Sequence, residues 1–334
     1  MTSVGMPGPA RAAEQPPVSR RGRFRSSVLL VCAVALAGVA ALVMVRLTGL
    51  DAGTFLAMPV AAFPLVAVGT VGLLLAVLAL KARWLAVTAV VLVVTELILL
   101  VPRFVPRDVV IPADVPRLRI GTSNTYVGQI DARALVELVR AERLDVLAVQ
   151  ELTQQGVREL DEAGLRELMP YRELHPEVDS SIYSRLPLSR GGLLDRPTTW
   201  PQTTAELRVG GRAVKLVAVH TFYPAGDPQQ WTVDLEALRD EAAAAGRDMV
   251  VLGDFNATLD HAPMRSLLAA GLVDTHAELG RGWAPTWPVG KAFLPPSFQI
   301  DHVLHGPGLV AVSAREHTIA GSDHRVVTAE LALT

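Results

Sequence analysis

Polar residues sit at the ends of short apolar runs at six places in the C-terminal two-thirds of this chain. Asn124 follows LRIGTS, Glu151 follows VLAVQ and His220 follows KLVAV. Asp254 and Asn256 follow MVVLG, Asp301 interrupts the apolar run QIDHVL, and Asp323 and His324 precede RVVTAEL. Taken singly, each has an ordinary structural role: an Asx turn, a solvated strand end, a satisfied core histidine. Six such sites in one domain make that reading strained, because rigid strands aim loop residues accurately and active sites gather at their ends. Carboxylates with an amide oxygen are hard ligands that suit Mg²⁺, Mn²⁺ or Ca²⁺. No cysteine cluster and no HExxH motif points to zinc. Histidines add positive donors where charge builds up on a phosphate oxygen. A carboxylate free of metal orients or deprotonates water. The set therefore suits metal-assisted hydrolysis of a phosphate ester.

The elements that must position these residues can be read from periodicity. Leu118 to Gly121 reads as a strand, and DARALVELVRAERL as an amphipathic helix with Asp131 as its N-cap. DVLAVQEL is a short buried strand, residues 156–168 are helical, and SSIYSRLPL is a strand. AELRVGGRAVKLVAVH is a hairpin turning at Gly210–Gly211. Residues 228–245 form a helix, 249–253 a buried strand, and Pro263 opens another helix. QIDHVLH and VVTAELAL are late strands. Helices interleave with strands, but the hairpin excludes a purely parallel sheet. An α/β sandwich of two mixed sheets with helices outside is expected.

The first hundred residues differ in kind. Residues 28–45 and 54–80 carry no charge, and 84–101 carry only Glu96. A bilayer core of about 30 Å takes roughly 20 apolar residues in a helix, so three transmembrane helices are expected in 28–101. Arg11, Arg20, Arg21, Arg23 and Arg25 precede the first, and Lys81 and Arg83 lie between the second and third. The positive-inside rule then puts the N-terminus in the cytoplasm and everything after Val101 outside, against the weaker pull of Arg103 and Arg107. A signal peptide is the rival reading of 20–45, but no clean cleavage site stands out and two more apolar stretches follow. Glu96 is expected near one membrane face, within reach of the headgroups. Residues 1–27 are expected to be a disordered basic cytoplasmic tail and 102–117, with four prolines, an extended linker. That leaves 118–334 as the extracytoplasmic domain. The single cysteine, Cys32, lies in the first apolar stretch, so no disulfide supports this domain.

The order Asn124, Gln150–Glu151, His220, GDFN at 253–256, IDHV at 300–303 and GSDH at 321–324 resembles the endonuclease/exonuclease/phosphatase superfamily over residues 118–334. Ser184 to Pro187 matches that group's Ser-Arg-x-Pro strand end. The resemblance implies a four-layer α/β sandwich, two mixed β-sheets flanked by helices, and a metal-dependent phosphoric ester hydrolase. It implies Glu151 as the main metal ligand, assisted by Asn124 and with Asp323 as a further ligand or histidine partner. Asp254 would activate water and Asn256 position it. His220 and His324 would contact the scissile phosphate, with Asp301 supporting His324. No additional phosphate-contacting Arg or Tyr can be placed from the motifs; Arg185 and Tyr223 are the candidates. A membrane anchor ahead of such a domain also resembles the VanJ-type bacterial subgroup associated with teicoplanin resistance.

Charge narrows the substrate. Residues 115–334 hold 21 Lys and Arg against 28 Asp and Glu, a net charge of −7. Nucleic-acid enzymes draw most nonspecific affinity from basic surfaces, which disfavours a nucleic-acid partner and leaves a surface-anchored nuclease as the alternative. Tethering beside the phospholipid bilayer favours a membrane lipid substrate, above all a cell-wall lipid intermediate. Trp283, Trp287, Phe293 and Phe298, in a Pro-rich loop before Asp301, are candidates for contact with the membrane interface.

Overall fold

The computed structural model describes residues 20–176 and 179–334. Residues 1–19 of the expected disordered tail lie outside the described residues. The remainder of that tail does not conform to the expectation: helix α1 starts at Arg20 and runs to Thr48. It is followed by α2 (Ala57–Ala61), α3 (Phe63–Ala79) and α4 (Arg83–Leu100), which pack with α1 as a bundle around Leu36, Phe63, Val77 and Ala89. Two of these helical stretches, Arg23–Thr48 and Arg83–Phe104, are long and apolar enough to cross a membrane. The expectation of three transmembrane helices is corrected here. At about 1.5 Å per residue, the 17 residues of α3 fall short of a full span. The chain breaks at Ala62, which separates α3 from α2. Glu96 is also not where the sequence suggested. It faces the bundle interior, only 1% exposed, and accepts a hydrogen bond from the Thr70 hydroxyl at 3.0 Å.

The rest of the chain forms two six-stranded sheets. With strands numbered along the chain, the first contains β1 (Arg117–Asn124), β2 (Val146–Gln150), β3 (Tyr171–His175), β4 (Ser180–Ser184), β11 (Leu309–Thr318) and β12 (Arg325–Leu333). Its spatial order is β11-β12-β1-β2-β4-β3. The second contains β5 (Leu188–Leu193), β6 (Thr203–Val209), β7 (Arg212–His220), β8 (Met249–Asp254), β9 (Val273–Asp274) and β10 (Asp301–His305), in the order β5-β6-β7-β8-β10-β9. Alternate residues of both sheets meet in one apolar layer that includes Leu118, Ile120, Val146, Leu216, Val250 and Leu252. Each such side chain contributes about 1.5–3 kcal/mol by burial. Helices α5 (Ala132–Glu142), α6 (Gln154–Glu162) and α7 (Leu165–Leu168) cover the outer face of the first sheet. Helices α8 (Pro228–Ala244) and α9 (Ala262–Ala269) cover the second. The short α10 (Thr275–Glu278) lies beside β11. The result is a four-layer α/β sandwich.

Local signals explain several of these starts and stops. Asp131 caps α5, accepting from the Ala134 amide at 3.1 Å, and the β6–β7 turn falls at Gly210–Gly211. The linker is not a free tether. Val101–Phe104 is a 3₁₀ turn, the Arg107 amide donates to Glu278 at 2.9 Å, and the first strand begins at Arg117. The bundle also docks directly. Arg46 and Arg103 reach one buried carboxylate, Asp260, at 2.8 and 3.0 Å.

Candidate active site

Strand register gathers the polar strand ends at one edge of the sandwich. β1 and β2 run parallel with Asn124 opposite Gln150, which places Glu151 beside Asn124. β7 and β8 run parallel with His220 opposite Asp254. β10 is antiparallel to β8, so its first residue, Asp301, pairs with Asp254, the last of β8. β12 is antiparallel to β1, which brings the residues just before it, Asp323 and His324, to the same edge.

Two glycines in the motifs have steric reasons. A Cβ on Gly253 would lie 2.0 Å from the Val219 carbonyl oxygen, and one on Gly321 would lie 2.0 Å from that of Gln129. Each permits the close backbone approach that seats the following acidic residue. Glu151 and Asn256 hold left-handed conformations, with φ of 55° and 47°. Non-glycine residues seldom adopt this region, and where they do they often mark functional sites.

The side chains form one connected set. Asn124 donates through Nδ2 to Glu151 at 3.0 Å and to Asp254 at 3.1 Å, while its oxygen accepts from the Tyr126 amide. The second Glu151 oxygen accepts from the Val127 amide at 2.8 Å. Asn256 closes the loop, its amide donating to Asp254 and its side chain to the Thr221 carbonyl. His324 Nδ1 lies 2.9 Å from Asp301, and its Nε2 faces Asp254 and Asp323, each at 3.8 Å. On the other side, His220 Nδ1 makes a 2.6 Å charge pair with Asp179, and its Nε2 lies 3.7 Å from Asp254. Asp323 also accepts from the Trp287 indole at 3.2 Å.

Electrostatics separate the roles. Burial pushes the Asp254 carboxyl up, with the neighbouring Asp301 adding to it, and the two histidines only partly offset this; it is raised to about 6. Burial alone would lower His324, but the Asp301 and Asp254 carboxylates outweigh it and raise it to about 10. His220 is raised likewise: burial opposes its charge, and Asp179 and Asp254 prevail. At neutral pH the cleft thus presents a carboxylate able to take a proton between two imidazolium donors.

The donor set fits a divalent cation. Asp254, Asp301 and His324 each offer an atom within 4.8 Å of the others, and the Asp301 Oδ1 is buried without a hydrogen-bond partner. This trio differs from the set expected from sequence, Asn124, Glu151 and Asp323. Asn124 joins the two sets by contacting both Glu151 and Asp254.

Of the two further candidates, Tyr223 lines the cleft, whereas Arg185 pairs with Asp145 elsewhere on the surface. Asp179 was missed: it precedes β4 and bears no motif, and only the fold brings it to His220. Trp200, 4.8 Å from the His220 ring centroid, was missed for the same reason. The cleft has a volume of about 410 Å³, and its wall includes Trp200, Pro224, Trp287, Phe298 and Ile300.

A sequence model of the Endonuclease/Exonuclease/phosphatase family matches residues 121–324, more than half of the chain and ending on His324. No curated protein matched. Among solved structures, a humanized D. rerio TDP2 carrying 14 mutations is 19% identical over 64% of this chain and 98% of its own, with a TM-score of 0.53. D. rerio TDP2 complexed with single-strand DNA product is 18% identical over the same shares, also at 0.53. An endonuclease/exonuclease/phosphatase family protein from Leptotrichia buccalis C-1013-b is 12% identical over 65% of this chain and 100% of its own, at 0.51. At such identities the likeness is one of fold. Fold, strand-end chemistry and the family match agree: the chain belongs to the endonuclease/exonuclease/phosphatase family of metal-dependent phosphoric ester hydrolases.

Proposed function

We propose that this hydrolase works at a membrane on a phosphorylated lipid, of the polyprenyl-phosphate-linked cell-wall class. The observation that carries the reading is the cleft itself. Among the described residues lining it there is no Lys or Arg, and its walls beyond the catalytic groups are largely aromatic and apolar. A polyanionic nucleic acid needs cations along its path. An amphiphile needs one charged centre and apolar walls.

The bundle supports the membrane assignment. Only 22% and 28% of its two spanning-length windows is buried within the protein, and Leu30, Val34, Leu75 and Val87 are exposed. Apolar surface on that scale calls for lipid or a partner. At the end of the bundle remote from the catalytic domain, Arg25 donates to the Leu80 carbonyl, close to the basic residues that favour the cytoplasm. A role in teicoplanin-type resistance belongs to the same proposal.

In the reaction, a water oxygen attacks phosphorus in line as the opposite P–O bond breaks, the terminal anhydride bond in a lipid pyrophosphate, and the lipid monophosphate departs with the bonding electrons. Asp254 accepts the water's proton, and Asn256 fixes the carboxylate through its amide. His220 and His324 donate to phosphate oxygens as negative charge grows there. A divalent ion, held by the carboxylates, would further neutralise that charge.

The test uses the full-length protein in phospholipid vesicles with Mg²⁺, offered polyprenyl pyrophosphate and plasmid DNA in parallel, with Asp254→Ala as the blank. Phosphate release from the lipid that vanishes in the variant is expected. Plasmid nicking without lipid turnover would replace this reading with that of an anchored nuclease.

A further inference from the structure

The connection between α1 and α3 takes part in the cleft. Ala57, Met58 and Ala61 of α2 line it together with Asp254, Asn256 and His324. This segment is fastened to the catalytic domain along its whole length. The Ala262 amide donates to Asp51 at 2.7 Å, the Gly53 amide donates to the Thr232 hydroxyl at 2.8 Å, and His261 Nε2 lies 2.9 Å from the Ala57 carbonyl oxygen. Ala57 is fully buried and belongs to the apolar layer under α8 and α9, with Trp231 and Phe255.

From that wall a track leads away along the bundle. Leu65, Val68 and Leu75 follow one another at spacings of three and seven, so they share one face of α3. Met58 and Ala61 stand on α2 immediately before it; the two helices meet at Ala62, whose amide donates to the Pro59 carbonyl and whose carbonyl accepts from the Val66 amide. Met58, Leu65, Val68 and Leu75 are all exposed, from 38 to 68%. Exposed apolar residues thus follow the cleft wall from α2 onto one face of α3.

Resting on the lipid reading above, we propose that this track is the binding surface for the hydrocarbon chain of the substrate. The bundle is then part of the active site: Met58 and Ala61 hold the first chain segment after the phosphate, and the rest lies along α3 in the bilayer. The substrate class narrows to single-chain or slender amphiphilic phosphoesters that slide in laterally from the membrane.

The experiment compares wild type, Met58→Glu and Met58→Leu, each full length in phospholipid vesicles with Mg²⁺. Each is assayed on polyprenyl pyrophosphate in the bilayer and on water-soluble bis(p-nitrophenyl) phosphate. The readout is the ratio of the two kcat/KM values. A carboxylate at 58 is expected to lower that ratio at least tenfold, mostly through KM for the lipid, and leucine to restore it. The exposed position makes misfolding a minor concern, and thermal unfolding of each variant reports on folding independently of turnover. A ratio unchanged by Met58→Glu would overturn the track while leaving lipid hydrolysis intact. A wild type that cleaves the soluble ester but no lipid would overturn the lipid reading and the track together.

Discussion

Histidine–carboxylate pairs stand both in the cleft and in the core of this molecule. His324 with Asp301 and His220 with Asp179 stand in the cleft. His302 with Asp274 and His305 with Glu278 lie in the core beneath it, at 2.8 and 3.0 Å. Distance and charge are alike in both places. The second ring nitrogen differs. In His302, Nε2 meets the Ala257 carbonyl at 2.9 Å, and in His305, Nδ1 meets that of Gly306 at 3.1 Å, so both rings are spent on structure. In His324 and His220, Nε2 faces the Asp254 carboxylate, and for His324 also Asp323, at 3.7 to 3.8 Å, beyond hydrogen-bond distance. Asp301 and His302 are neighbours on β10, and strand alternation sends one to each place. A paired histidine is therefore no sign of catalysis by itself, and neither is a free ring nitrogen: His276 pairs with Glu316 at 2.7 Å and leaves Nδ1 buried without a partner, away from the cleft. What sets His324 and His220 apart is an Nε2 that faces the cleft carboxylates.

The comparison can be broken at several points. The largest effect is expected from Asp254→Ala, which removes the proton acceptor: kcat should fall by about 10³–10⁴, at the upper end for general base loss, with thermal unfolding little changed. Near-normal turnover in that variant would mean that the water is activated elsewhere.

Asp274→Asn should do the reverse, costing about 3–5 kcal/mol of stability by leaving His302 charged and buried without its partner, while folded molecules keep their turnover. Its pH signature sharpens the contrast. Burial disfavours both charges, but the mutual pairing prevails, holding Asp274 below and His302 above their ordinary values. The raised His302 contributes stability that is full below about pH 6.5 and lost as pH rises through its folded value. The depressed Asp274 contributes stability present above about pH 4 and lost as pH falls through its own folded value. Unfolding followed by tryptophan fluorescence should show the alkaline loss in wild type and its absence in Asp274→Asn. An unchanged alkaline arm would assign that loss to other groups.

A smaller effect is expected from Asp301→Asn, which leaves the His324 ring in place but weakens its charge. A roughly tenfold drop in kcat is expected, about 1.4 kcal/mol, with KM for the soluble ester unchanged. A loss as large as that of Asp254→Ala would instead make Asp301 essential to holding the metal ion.

The strand ends that the fold gathers were legible in the sequence because such ends are local: Asn124, Glu151, His220, Asp254 and Asp301 each end or begin an apolar run of their own. What it could not show depends on register and docking. Asp179 reaches His220 only because β4 and β7 lie in facing sheets. Arg103, read from the sequence only as a charge against the assigned topology, shares the buried Asp260 carboxylate with Arg46. Glu96 lay inside an apolar stretch with nothing nearby in sequence to reveal Thr70 as its partner, 26 residues back. The middle helix looked long enough because composition runs on from 54 to 80, whereas the backbone breaks at Ala62.

Asp260 follows Asp254 by six residues and accepts arginines from both the first bundle helix and the turn after the last. This has a consequence for modularity. Exchanging this anchor for an unrelated one, or excising the catalytic domain, would strand a carboxylate with no exposure of its own and uncover the seat of Ala57. Recombination should then have moved the helical bundle and the catalytic domain as a single inherited unit. A chimera engineered at residues 102–117 would need to bring Arg46, Asp51 and Ala57 with it.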